Sequence, residues 1–256
     1  ARLLQLGVPG VYQEVVLWFD ACLFDQTILM HLLARLAALG TGTAKLSLIC
    51  IGEHPDFARF IGLGELNPAQ TAALFPTRHE VTGAELALAT RAWNAFTANE
   101  PSAIRTVLQS DCSALPYLAA ALRRHLRQYP WVEDGLSLSE RHVLQAVAAG
   151  NSRLGAIFSA VSQREERPFM GDTFVWRWIA ELAGGPHPLL TVEGPGPLIR
   201  PLWDPLKEIT RWQVGLTDTG RDVLAGRSDY VRLNGIDRER AIQRLGFLQA
   251  DPIRSP

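Results

Sequence analysis

The chain has 256 residues, 47% of them hydrophobic, and a formal net charge of −1. That length suits two domains of ordinary size, and the near-neutral balance lacks the basic excess of a dedicated nucleic-acid binder. The longest apolar runs, such as VVLWF and LSLICIG, are far too short to span a bilayer, and no signal-peptide pattern is seen.

Charge is spread evenly. Residues 1–135 carry 10 Lys and Arg against 12 Asp and Glu, and residues 136–256 carry 15 against 14. Cys22, Cys50 and Cys112 are odd in number and widely spaced, so they suggest neither a disulfide framework nor a zinc site. Reduced thiols fit a cytoplasmic bacterial protein. The start Ala-Arg-Leu-Leu, without methionine, leads to the expectation of a missing N-terminal piece.

Residues 14–20, EVVLWFD, read as a buried strand ending at Asp20. A helix follows over 24–40, with Asp25 as its expected cap, Ile28, Leu29, Leu32, Leu33 and Leu36 as its stripe, and Gly40 as its stop. Residues 45–52, KLSLICIG, read as a second strand, so the order is βαβ and the two strands should be parallel. Asn67-Pro68 opens a short helix to Phe75, and Thr82 with Glu85 forms a capping box for a helix to Ala98. Ser102 starts a short helix. Ser113 is the expected cap of a last one over 114–129, with Pro116 in its first turn. Turn residues at 129–135 mark a domain boundary.

Ser137 and Glu140 form another capping box, and Gly150 ends that helix. A second helix fits 153–161, with Leu154, Ile157, Phe158 and Val161 on one face. A third fits 171–182, with Asp172 as expected cap, a stripe of Val175, Trp178, Ile179 and Leu182, and Trp176 facing outward. Two extended segments, HPLLTVEG and RWQVGL, flank a Pro- and Gly-rich connection, and the helix TDTGRDVLAG closes the unit. Three helices and a two-stranded ribbon in this order are the pattern of a winged helix-turn-helix. The expected fold is therefore α/β plus α+β. Residues 1–132 form a small parallel βαβ-containing domain with several helices, lacking its first strand. Residues 133–228 form a winged helix, and 229–256 form a tail with one further helix in NGIDRERAIQRLG.

Segments along nearly the whole chain resemble one uncharacterised bacterial domain-of-unknown-function family. They include EVVLWFDACLFDQ, LSLICIGEHP, FIGLGELNPAQTAALFP, SALPYLAAALRRHL, LSLSERHVLQA, PFMGDTFVWRWIAELAGGPHPLL, LTDTGRDVLAG and NGIDR. The resemblance implies an α/β part followed by a helical winged part, and it implies no activity. Three departures stand out. The family's opening strand and His-Val-Thr-Asn-Gly-Asp-Ser-like turn have no match. Ala21 and Cys22 stand where the family has a His-Asp pair. Glu239 to Arg244 replaces a Trp-rich, Gly-Gly-Val-His-like stretch.

Two constellations carry candidate chemistry. Asp20 and Asp25 follow the first strand, and Glu53 and His54 follow the second. Ligands of open α/β sheets bind at that edge, where carboxylates and an imidazole can hold a divalent metal or a phosphate-linked Mg²⁺. The alternative is a capping Asp25, a strand-ending Asp20 and a solvated turn. On the third helix, Thr173 and Arg177 face outward for base or phosphate contact, joined by Arg200, Lys207 and Arg211 around the wing. Asp172 and Glu181 oppose phosphate there. No Gly-x-Ser-x-Gly, Walker-type loop or His-rich metal spacing occurs. The leading expectation is a transcriptional regulator that binds DNA or a transcription-complex protein, as a homodimer. A phosphate- or metal-linked enzyme and a protein-interaction module are the alternatives, and no cofactor is indicated.

Overall fold

The computed structural model describes residues 12–40, 44–198 and 209–235. It is mixed α/β and divides into two compact units, Ala1–His125 and Leu126–Pro256.

In the first unit, strands β1 (Glu14–Asp20) and β2 (Lys45–Ile51) pair in parallel, with Glu14 opposite Lys45 and Asp20 opposite Ile51. Helix α1 (Leu23–Leu39) is the crossover. A two-residue strand, β3 (His79–Glu80), runs antiparallel to β2, so the sheet order is β1-β2-β3. The central strand buries Leu46, Leu48 and Ile49. Helix α3 (Gly83–Phe96) packs on α1, where Ala89 and Ala92 are fully buried and let the two backbones approach closely. Helices α2 (Pro68–Leu74), α4 (Ser102–Leu108) and α5 (Leu118–Leu126) complete the unit. A run of rings, His31 on Trp93, Trp93 on Phe96 and Phe96 on His125, ties α1, α3 and α5 together.

Several sequence expectations need correction here. The cap of α1 is Cys22, whose sulfur accepts the Asp25 N–H, and Asp25 itself lies in the first turn. The buried face of α1 is Gln26, Leu29, Met30, Leu33 and Leu36, while Ile28 is 48% exposed and Leu32 half-buried. Helix α5 starts at Leu118 rather than after Ser113; the residues around Pro116 form tight turns instead, with the Leu115 N–H on the Cys112 carbonyl and the Leu118 N–H on the Leu115 carbonyl. Trp18 and Trp93 are half-buried.

In the second unit, helices α6 (Leu138–Ala148), α7 (Leu154–Arg164) and α8 (Asp172–Leu182) bury one stripe each. Val143, Leu144, Leu154, Ile157, Val161, Val175, Ile179 and Leu182 share a single core. The Ser137–Glu140 capping box forms as expected, and Gly150 takes a φ of 94° where α6 stops. Strands β4 (Leu190–Glu193) and β5 (Gln213–Leu216) form an antiparallel ribbon, with Leu190 and Val214 in that core. The Val214 N–H donates to the Ser152 carbonyl at 2.9 Å, fixing the ribbon to the α6–α7 turn. Helix α9 (Asp218–Leu224) is capped by Thr217.

The start of the expected tail is packed into the second unit. Helix α10 (Tyr230–Asn234) buries Tyr230, whose N–H donates to the Asp134 carbonyl at 2.7 Å. The expected helix in NGIDRERAIQRLG falls almost wholly outside the described residues. No helix among the described residues is long and apolar enough to cross a membrane.

Candidate functional site

The sheet edge in the first unit brings Asp20 and Asp25 together, with Cys22 as third member. One ligand atom from each lies within 4.8 Å of the others. Strand β1 ends at Asp20, the chain turns through Ala21 and Cys22, and α1 returns Asp25 to the strand end. The Asp20 carboxylate accepts the Cys22 N–H through Oδ1 at 2.9 Å and the Leu63 N–H through Oδ2 at 3.4 Å. Asp25 Oδ2 accepts the Asp20 N–H at 2.7 Å. Gln26 is buried, and its amide donates to the Asp20 carbonyl at 2.7 Å and the Cys50 sulfur at 3.3 Å. Gly62 closes the far side. A Cβ there would lie 2.5 Å from Asp20 Oδ2, so any larger residue would have to displace the Asp20 carboxylate.

Burial raises the Asp25 pKa, and the Asp20 charge adds to that, while the Asp20 N–H works against it. Burial pushes the Cys22 thiol up to about 12, so at neutral pH it is a protonated capping group rather than a thiolate ligand. Among the described residues, Asp25 Oδ1 is the one carboxylate oxygen of the pair that accepts no hydrogen bond. The network turns β1 into α1, and three of its four carboxylate oxygens each already accept a backbone N–H.

Glu53 and His54 do not join this group. Glu53 is exposed. The His54 ring packs beside Phe57 and Phe60, and its Nδ1 accepts the Asp56 N–H at 3.3 Å. Neither offers a ligand atom to the Asp20–Cys22–Asp25 group. Sequence reasoning missed Cys22, Gln26 and Gly62. The available signal was Gln26, a polar residue in phase with the buried stripe of α1.

The second unit places Thr173 and Arg177 on the exposed face of α8. Arg177 Nε donates to Glu181 Oε1 at 3.1 Å, one turn on. Asp172 is not the cap: Gly171 holds that position, and the Asp172 carboxylate accepts the Thr173 N–H. Trp176 is buried at 4% exposure, edge-on to Phe158, which corrects the outward reading. Phe174 is the large apolar residue that does face out, at 46% exposure. Arg211 is exposed at the foot of the ribbon, next to Thr210, whose carbonyl accepts from Arg153 Nη1. Arg200 and Lys207 lie outside the described residues. No family profile and no curated protein sequence matches the chain.

Proposed function

We propose that the second unit is a winged helix and that the chain is a DNA-associated regulator with α8 as its reading helix. The observation that carries this reading is α8 itself. It is buried along Val175, Trp176, Ile179 and Leu182 and exposed along Thr173 and Arg177, and a two-stranded ribbon follows it. A helix held this way can enter a major groove while the ribbon meets the backbone.

Charge limits the strength of the contact. Asp172 and Glu181 flank the reading face, and Glu181 neutralises Arg177. Arg153 and Arg211 beside the ribbon supply the phosphate contacts. The expected log–log salt slope is shallow, about −2 to −4. The test is a duplex-DNA titration by fluorescence anisotropy, comparing wild type with an Asp172→Asn, Glu181→Gln double variant. Removing two carboxylates should tighten binding about tenfold or more. Equal affinity of both proteins would mean that α8 does not face the DNA.

Protein docking is the second reading. It is favoured by Phe174, which adds an exposed apolar ring to a face whose one arginine is already paired. A metal-linked enzyme has less support, because backbone N–H groups already engage three of the four carboxylate oxygens and the Cys22 sulfur.

A further inference from the structure

We propose that Asn234–Gly235 is a self-modification site, at which deamidation of Asn234 irreversibly releases helix α10 from the turn that follows α8. The release does not depend on what α8 binds. The chain has five asparagines, Asn67, Asn94, Asn99, Asn151 and Asn234, and of these Asn234 alone precedes a glycine. A glycine next in the chain has no side chain to hinder attack by its own backbone nitrogen on the asparagine amide. That attack is the chemistry that makes asparagine a thermolabile residue.

The Asn234 side chain grips the backbone of one residue at two points. Its Nδ2 donates to the His187 carbonyl at 3.1 Å, and its Oδ1 accepts the His187 N–H at 3.1 Å, the two-bond exchange of a paired strand residue. Nδ2 also reaches the Tyr230 carbonyl at 3.5 Å, one turn back. The turn is shaped for this contact. Gly185 takes a φ of 80°, and a Cβ on it would lie 2.9 Å from Asn234 Oδ1. His187 lies between α8 and β4, so the amide is a bolt between that connection and α10.

The same bonds guard the amide. Deamidation starts when the Gly235 nitrogen loses its proton and attacks Asn234 Cγ. The new N–C bond closes a five-membered imide, and the side-chain nitrogen takes up that proton and leaves as ammonia. Water then opens either imide carbonyl, giving aspartate or isoaspartate. In the folded chain the Gly235 N–H is held by the Val231 carbonyl at 2.7 Å, and Cγ is held through both His187 bonds. The reaction therefore waits for α10 to open. Opening is within reach, because α10 has five residues and Tyr230 is its one buried member. The product cannot close the bolt again. Aspartate sets a carboxylate oxygen against the His187 carbonyl where a donor stood, and isoaspartate adds a methylene to the backbone at the helix end.

The experiment incubates the full chain at mildly alkaline pH, folded and in urea, and follows Asn234 by mass spectrometry of the tryptic peptide LNGIDR. Conversion of the amide to the acid is expected in both, slower by about ten- to a hundredfold in the folded chain. Equal rates would overturn the guarding role of the His187 contact. A folded chain with no conversion over many half-lives of the unfolded one would overturn the modification site. Asn234→Asp supplies the product directly. Backbone hydrogen exchange should quicken about tenfold or more at His187 and at Tyr230, whose N–H meets the Asp134 carbonyl, while the core amides of Leu144 and Ile179 stay slow. Unchanged exchange at His187 and Tyr230 in that variant would overturn the release of α10.

Discussion

Replacing Asp25 by alanine isolates what the acidic turn contributes. The substitution removes the acceptor of the Asp20 N–H, a 2.7 Å bond to a carboxylate. Hydrogen bonds to charged groups contribute about 1.5–3 kcal/mol, which the half-exposed setting of Asp25 reduces to about 1–2. Loss of an acid from the first turn of α1 adds about 0.3–1 kcal/mol. For a unit of this size the total lowers Tm by roughly 5–10 °C. Asparagine behaves differently, because its carbonyl oxygen still accepts the Asp20 N–H. It also escapes a cost. The folded-state pKa of Asp25 lies above its ordinary value. The group's favourable contribution is therefore complete below the unfolded pKa and is lost as pH rises through the folded one. Asp25→Asn should stay within about 0.5 kcal/mol of wild type at pH 7 and lose the stability that wild type gains on acidification, so its profile falls more steeply toward low pH. Thermal melts of both variants at pH 4, 5.5 and 7, followed by circular dichroism, provide the check. Alanine and asparagine variants that melt together would refute the hydrogen-bond account.

Other expectations follow from single side chains. Burial holds the His125 imidazole down at about 4. Its contribution is present above pH 6.5 and fades as pH falls toward 4, by about 3 kcal/mol at most, so His125→Gln should make the first unit's stability less acid-sensitive in urea melts. Trp176→Ala should cost about 3–5 kcal/mol, read as a lower denaturation midpoint, because the ring is buried against Phe158. Arg177→Ala on the same helix should change stability by less than about 0.5 kcal/mol, since an exposed i,i+4 pair contributes little. Ser137→Ala breaks the capping box of α6 and should cost about 1 kcal/mol in the same measurement.

Much of the fold is legible because its punctuation is local. Thr82 with Glu85 and Ser137 with Glu140 mark helix starts that the structure forms as boxes. The apolar runs at 14–20 and 45–51 admit no amphipathic helix and become the parallel pair. The misreadings share one cause, which is that tertiary contacts decide between equivalent local choices. Cysteine is a weak cap by propensity, yet burial of the Cys22 sulfur at the β1–α1 turn makes it the cap of α1. Trp176 is adjacent to the main stripe of α8, and only the position of Phe158 on α7 turns it inward. The pairing of Asp20 with Asp25 was readable, because a strand end and the first turn of the next helix must be neighbours. Glu53 and His54 were not, because nothing in the sequence states which way the 52–62 loop leaves β2.

The central claim concerns α8 and the ribbon beside it, and the salt dependence of duplex-DNA affinity tests it most directly. The account predicts measurable binding at about 50 mM salt that weakens with a log–log slope of roughly −2 to −4. Absence of binding at low salt, or an affinity that does not move with salt, would contradict it and leave the exposed face around Phe174 to a protein partner.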